Sequence, residues 1–160
     1  MNDFTIRPAT AQDAEHVQAI AREAWGPIYA GYRDQLGDEL FDLFFPDAIE
    51  KKVEAVRCNV ESGTCYVTEL RGRIVGFIHY IYSEETRLAS ISHNAVLGEM
   101  RGHGIAARQY DFVFDVLRKR GAVGVRVQTG LDDAHAPARR AYGKAGFLKS
   151  TEAVTYYKKL

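Results

Sequence analysis

The 160-residue chain has few cysteines, no excess charge of either sign and no long apolar run. Its two cysteines, Cys58 and Cys65, form no CxxC pair, so a disulfide scaffold and a structural zinc site are disfavoured. We therefore expect reduced thiols and no metal. Lysine plus arginine number 21, as do aspartate plus glutamate. This balance gives no reason to expect nucleic acid or an anionic membrane as a partner.

Signals for export and membrane insertion are also missing. The first residues, MNDFTIRPATAQDAEH, lack the basic and apolar regions of a signal peptide. No apolar run approaches the roughly 20 residues that span a bilayer. These absences predict a cytoplasmic protein that does not enter the membrane. Apolar residues make up 46% of the chain, and it contains no repeat or linker, so we predict a single domain over residues 1–160.

Hydrophobic periodicity predicts an α/β (α+β) fold whose sheet is antiparallel early and parallel across one long helix. Residues Gly26 and Pro27 are expected to end the first helix. Strands are predicted at residues 4–9, 64–70, 74–82, 87–97, 122–130 and 154–160. Helices are predicted at residues 10–25, 38–45, 46–60, 104–120 and 137–146.

The segment EMRGHGIAARQY, residues 99–110, places two glycines between a strand and a helix. The first turn of a helix leaves N–H groups without partners, and glycine lets a phosphate approach them closely. Arg101 adds a positive side chain. The loop therefore favours a phosphate or pyrophosphate site. A plain strand-to-helix turn, in which glycine supplies a positive φ, explains the loop alone equally well.

Two common phosphate-binding motifs fit this loop poorly. GHGIAA matches the GxGxxA dinucleotide fingerprint, which needs an acidic residue about 20 positions later to hold the ribose. The next strand, GVRVQTG, contains no acidic residue, and the loop follows a β-meander instead of opening a βαβ unit. A P-loop is excluded because no GK[ST] follows. A nucleotide-binding regulatory domain is therefore disfavoured.

Two motifs make the sequence resemble the GNAT family of acyl-CoA-dependent N-acyltransferases. The family signature [QR]-x-x-G-x-[GA] occurs here as Arg101, Gly104 and Ala106. About 30 residues later, the family pattern N-x-x-A-x-x-x-Y-x-x-x-G-F is matched with histidine in place of asparagine, by His135, Ala138, Tyr142, Gly146 and Phe147. The resemblance covers most of the chain from residue 4 to the C-terminal segment.

The resemblance implies a twisted, mixed, mostly antiparallel sheet that is splayed where acetyl-CoA binds and is flanked by helices. In the family, the glycine loop grips the pyrophosphate, and the strand before it pairs with the pantetheine arm as an extra strand would. Carried over residue by residue, the cofactor-binding set is Ala95, Val96, Leu97, Arg101, Gly102, His103, Gly104, Ile105, Ala106, His135 and Arg139.

Tyr142 occupies the family position of the general acid that protonates the leaving thiolate. Packing in the core is the alternative role for this side chain. Some family members place a glutamate base on the strand before the loop, and RLASISHNAV has no carboxylate there. His93 is our first candidate for the base, and His79 on the preceding strand is the second. A structural role is the alternative for both histidines.

The acceptor is expected to be a small-molecule or peptide amine. Trp25, Tyr29 and Tyr32 follow the predicted helix break and are candidates for the acceptor pocket, together with His79. The three aromatic residues fit the core of a helical hairpin equally well. The family also makes a homodimer an expectation, with the last strand as a possible edge. The competing hypothesis is a non-catalytic acyl-CoA-binding module that retained the loop and lost the chemistry.

Overall fold

Five strands form one mixed sheet in the computed structural model, which describes residues 4–160. The strands pair in chain order, and every pair is antiparallel except the last. The predicted mixed, mostly antiparallel sheet is therefore confirmed. The strands are β1 (Phe4–Pro8), β2 (Cys65–Leu70), β3 (Arg73–Ser83), β4 (Leu88–Val96) and β5 (Gly124–Val127).

Helices cover both faces of this sheet. They are α1 (Ala14–Phe44), α2 (Ala48–Val60), α3 (Ile105–Lys119) and α4 (Ala136–Lys144). Successive side chains of a strand point to opposite faces, so Phe77 and Ile78 of β3 enter different cores. Phe77 packs with α1 and α2, whereas Ile78 packs with Tyr110 and Val113 of α3. The sheet thus separates an α1–α2 layer from an α3–α4 layer.

The parallel strands β4 and β5 pair over only four residues before they diverge. Their register runs from Leu88 opposite Gly124 to Ile91 opposite Val127. β4 then continues to Val96, paired only with β3 on its other side. The edge of residues 92–96 that faces away from β3 is therefore open. The splay that the sequence predicted is present in the sheet.

The helix end predicted at Gly26 and Pro27 is wrong, because α1 runs through both residues. A proline inside a helix removes one backbone hydrogen bond. Pro27 is exposed, so water can satisfy the freed carbonyl. The real interruption is at Gly37, whose φ of 74° is non-helical. The short helix predicted after it therefore forms as the last turns of α1.

The strand predicted at residues 154–160 is also wrong, because the described chain has no strand after α4. The tail instead contacts the end of α1. Tyr157 packs against Phe44 and Phe45 with ring centroids 5.0 and 5.9 Å apart, and Lys159 pairs with Glu39. These aromatic contacts hold the tail against a helix, so its alternating pattern finds no strand partner. The strand edge expected for a homodimer is absent from residues 4–160.

Gly76 lets α3 approach the sheet next to the end of β4. A Cβ added there would lie 2.8 Å from Gln109 Nε2 and 2.9 Å from the Ala95 carbonyl oxygen. We expect Gly76→Ala to lower the free energy of unfolding by about 1–3 kcal/mol, since overpacking forces backbone shifts. Urea unfolding measures this change. Gly31→Ala, in open space within α1, is the control and should raise stability slightly. A Gly76→Ala variant with an unchanged free energy of unfolding would contradict the close approach of α3 to the sheet.

Candidate active site

A cleft of about 620 Å³ opens where β4 leaves β5. Its walls come from the open end of β4, the loop before α3, the first turn of α3, helix α4, and facing parts of α1 and α2. The cleft therefore brings together residues that are far apart in the chain. The candidate site residues that line it are Trp25, His93, Ala95, Val96, Arg101, Gly102, Gly104, Ile105, Ala106, His135 and Tyr142.

The glycine loop presents bare backbone to this cleft. Gly102 and Gly104 have φ values of 82° and 76°, which glycine adopts without strain. Gly104 is the N-cap of α3, and in the described chain no side chain caps this helix end. The first N–H groups of a helix have no partner within the helix. Since residues 104–107 line the cleft, these donors are available to an anion.

The open edge of β4 continues from this loop towards the middle of the cleft. Ala95 and Val96 line the cleft and pair with Phe77 and Gly76 of β3 on their other side. An extended amide-containing ligand can add to such an edge as a further strand. The loop and the strand edge together form one continuous surface of backbone hydrogen-bonding groups.

Tyr142 projects from α4 into the same cleft. Its ring packs edge-to-face on Tyr110, with centroids 5.8 Å apart, and burial raises the pKa of its phenol. The phenol therefore keeps its proton at neutral pH. Two nearby hydroxyls, those of Tyr110 and Thr129, are buried without a hydrogen-bond partner within residues 4–160. Buried hydroxyls normally have partners, and Thr129 lines the cleft, so its hydroxyl is placed to bond to a polar ligand.

His93 lies at the other end of the cleft, in a network that joins β4 to α2. Its Nε2 is 3.0 Å from Lys52 Nζ, and its Nδ1 is 2.8 Å from the Asn59 side-chain amide. Its ring is 5.8 Å from that of Trp25. Burial, the Lys52 charge and His79 lower the pKa of His93 to about 4. The ring is therefore neutral at pH 7. Because an ammonium can only donate, Nε2 is the acceptor of the contact with charged Lys52, and Nδ1 then carries the ring proton.

His79 stands behind His93 and does not line the cleft. The two rings are 6.4 Å apart and nearly parallel. His79 is only 4% exposed, and burial lowers its pKa to about 4. Within the described chain its Nδ1 has no partner. This neutral, enclosed ring is therefore separated from the cleft by His93.

The remaining candidates lie around the cleft without lining it. Arg139 donates two 2.7 Å hydrogen bonds to the carbonyls of Gly130 and Asp132, so it braces the loop before α4, and Arg140 lines the cleft instead. His103 is exposed on the glycine loop. Leu97 bonds through its N–H to the Val75 carbonyl.

Tyr29 and Tyr32 belong to an aromatic cluster behind the cleft. They pack on each other and on Phe45, with centroids between 5.7 and 6.5 Å apart. Tyr32 also stacks near His135, which lines the cleft and whose Nδ1 is 2.6 Å from Asp132 Oδ2. The two tyrosines thus support the wall that His135 forms. Their predicted role in acceptor binding stays a prediction.

Sequence reasoning missed Lys52, which lines the cleft from α2. The core-facing stripe of α2 is Ile49, Val53, Val56 and Val60, and helical spacing places Lys52 at its edge. A lysine on the border of an apolar stripe was the available signal. Thr129 and Lys144 also line the cleft, and no motif marks them.

Residues 4–160 contain no group of three or more His, Cys, Asp or Glu side chains placed to hold a metal ion. Cys58 and Cys65 are both free thiols. None of the helices in the described chain combines the length and hydrophobicity needed to cross a membrane.

The model of the acetyltransferase (GNAT) family matches residues 19–147. No curated protein matches the chain. The fold is similar to PaiA N-acetyltransferase from Thermoplasma acidophilum in complex with coenzyme A, with a TM-score of 0.69, 18% identity, and coverage of 94% of this chain and 93% of that one.

Two further structures are similar at the level of the fold. Ard1 from Thermoplasma volcanium has a TM-score of 0.64 and 23% identity, covering 92% of this chain and 84% of that one. An aminoglycoside acetyltransferase from an uncultured soil metagenomic sample, in complex with sisomicin, has a TM-score of 0.64 and 18% identity, covering 99% and 97%. The family match extends over most of the chain and includes both motifs, so the protein belongs to the GNAT family of acetyltransferases.

Proposed function

We propose that the protein is an N-acetyltransferase that moves an acetyl group from acetyl-CoA to a primary amine by direct attack in a ternary complex. The observation that carries this proposal is the single cleft in which an uncapped glycine loop, an open strand edge and a protonated tyrosine meet. The first two features suit a nucleotide diphosphate and a peptide-like arm. The third suits a thiolate leaving group.

The residues present fit coenzyme A. The N–H groups at the start of α3 and the Arg101 side chain hold the pyrophosphate, and the edge at Ala95 and Val96 holds the pantetheine arm. Of the neighbouring Arg139 and Arg140, Arg140 is the better placed to meet a phosphate of the nucleotide, because it lines the cleft and Arg139 does not. His135, braced by Asp132, lies beside this arm. Acetyl-CoA supplies an activated acetyl thioester.

His93 and Tyr142 are the two side chains that transfer protons in this proposal. The acceptor amine attacks the thioester carbonyl as its proton leaves through His93 or water, and Tyr142 donates a proton to the thiolate. A neutral imidazole can accept a proton only when its lone pair is free. Lys52 occupies Nε2 of His93 in this arrangement, so the acceptor must displace that ammonium before His93 acts as a base.

One observation favours the second candidate, a non-catalytic acyl-CoA-binding module. Within the described chain the cleft is lined by no carboxylate, and the one imidazole at its acceptor end is engaged by Lys52. The protonated Tyr142 favours the enzyme, since binding alone has no use for an acid at this position.

Two measurements distinguish these functions. Acetyl-CoA at 100 times its Kd should stabilise the protein by about 2.7 kcal/mol in thermal unfolding, whereas NAD and ATP should not. Thiol release in the presence of primary amines should then report turnover. Stabilisation by acetyl-CoA without thiol release across a broad amine panel would support the non-catalytic module. Failure of acetyl-CoA to stabilise the protein would refute both functions.

A further inference from the structure

The charge of the cleft is one-sided. Among the described residues that line it, none is aspartate or glutamate, whereas four are lysine or arginine: Lys52, Arg101, Arg140 and Lys144. Two acids that neighbour lining residues, Glu23 beside Ala24 and Asp132 beside His135, have partners of their own. Glu23 accepts a 2.6 Å hydrogen bond from the Gly98 N–H, and Asp132 pairs with His135. The side chains that line the cleft therefore carry positive charge only.

Lys52 differs from the other three cations in its position. Arg101 belongs to the loop after β4, and Arg140 and Lys144 belong to α4. Lys52 instead reaches β4 at His93, three residues before Val96 and about 10 Å back along the strand. The phosphates of a nucleotide held by the glycine loop lie at the far end. Lys52 is thus the cation of the acceptor end.

Within residues 4–160, no carboxylate forms an ion pair with the Lys52 ammonium. Its partners within residues 4–160 are the neutral imidazole of His93 and the ring of Trp25, whose centroid is 5.2 Å from Nζ. The side chain is half-buried, and burial lowers its pKa. A half-buried cation with only neutral partners is a binding site for an anion, because a charge-assisted hydrogen bond recovers lost solvation.

We propose that the acceptor is a primary amine bearing a carboxylate, as in an α-amino acid, and that Lys52 binds this carboxylate. This inference rests on the proposed acetyltransferase function and names its class of acceptor. Trp25, Ala24 and Ile28 form the neighbouring wall of the cleft and suit an apolar side chain on that amino acid. A polycationic amine is disfavoured, since Lys52 would repel it and no lining carboxylate would offset the repulsion.

Binding of the carboxylate also frees the candidate base. When the Lys52 ammonium turns to the carboxylate, Nε2 of His93 loses its donor and faces the amine. The groups that act on His93 are Lys52 from α2 and His79 from β3, and both lower its pKa. Neutralising the Lys52 charge therefore raises the pKa of His93 and makes it a stronger base. Recognition of the acceptor and activation of its amine are coupled through one lysine.

Matched amine pairs test this inference on the intact protein. L-phenylalanine is compared with 2-phenylethylamine, and L-leucine with 3-methylbutylamine, by kcat/KM for thiol release. We expect the carboxylated member of each pair to be favoured by on the order of 30-fold, since a paired, partly buried charge is worth a few kcal/mol. Lys52→Met should reduce this preference to less than about threefold, and Lys52→Arg should retain most of it. Lys51→Met, on the exposed side of the same helix, is the matched control and should leave it unchanged.

Calorimetric titration of the same compounds into the protein saturated with coenzyme A gives a readout that does not need turnover. Tighter binding of the amino acid than of its decarboxylated partner, lost in Lys52→Met, supports the inference. If the amino acid binds no more tightly than its decarboxylated partner, the inference is overturned. Preferred acetylation of sisomicin, or of a peptide without an accessible carboxylate, also overturns it. Acetylation of all amines alike leaves the proposed function standing and removes only this inference. Binding of the amino acid without any thiol release refutes the proposed function instead.

Discussion

Replacing Tyr142 by phenylalanine is expected to lower kcat for acetyl transfer by about 100-fold or more, since general acids contribute roughly 10²–10⁴-fold to such steps. The substitution removes only the hydroxyl, so the edge-to-face contact of the ring with Tyr110 is kept. The Kd for acetyl-CoA should change little, because the proposed grip on the donor lies in the glycine loop and in β4. Kinetic assays of thiol release measure kcat, and calorimetric titration measures the Kd for acetyl-CoA.

Tyr156→Phe is the matched control for this variant. Tyr156 is 91% exposed on the tail, so removal of its hydroxyl should alter neither kcat nor Kd. A Tyr142→Phe enzyme with nearly normal kcat would show that the phenol only packs against Tyr110 and Phe147. The proton for the thiolate would then have to come from water.

Gly104→Val is expected to weaken acetyl-CoA binding by roughly 10–100-fold, as removal of one or two hydrogen bonds to a charged group costs about 1.5–3 kcal/mol. The φ of 76° at Gly104 suits glycine and strains a β-branched residue. The helix start must shift to relieve this strain, and its N–H groups then no longer converge on the pyrophosphate. Calorimetric titration with coenzyme A measures the loss.

Gly63→Val separates the effect on binding from the effect on stability. Gly63 has a φ of 75°, almost the same as Gly104, but it lies in the turn between α2 and β2. At both positions an added Cβ meets no atom within 4 Å. Both variants should therefore lose similar stability from backbone strain, on the order of 1–3 kcal/mol. Equal loss of coenzyme A affinity in the two variants would contradict the assignment of the loop.

Local patterns in the sequence predicted much of the fold and the donor end of the cleft. The glycines of the loop, the apolar stripe of α3 and the alternation of the central strands are all short-range signals, and each element lies within a few residues of its expected position. The motif around Tyr142 likewise placed the tyrosine in the cleft. Such signals succeed because the backbone conformation that they specify depends on neighbouring residues.

The failures involve contacts over long distances in the chain. Pro27 ends a helix by local rules, yet packing of α1 on the sheet carries the helix through it. The tail alternates like a strand, but Tyr157 finds Phe44 and Phe45 more than a hundred residues earlier. The pairing of Lys52 with His93 spans 41 positions and has no sequence signature. The role of such residues can be identified only once the structure shows which distant elements lie next to each other.

Two walls of the cleft come from separate stretches of the chain, and they meet where Lys52 contacts His93 of β4. One wall, with Trp25 and Lys52, belongs to α1 and α2, which pack against each other and are joined by the Arg22–Glu50 ion pair. The other wall, formed by the open edge of β4, the glycine loop and α4, belongs entirely to the chain after β3. Substitutions in α1 and α2 can therefore reshape the wall that carries Trp25 and Lys52 while the glycine loop and the open edge of β4 stay unchanged.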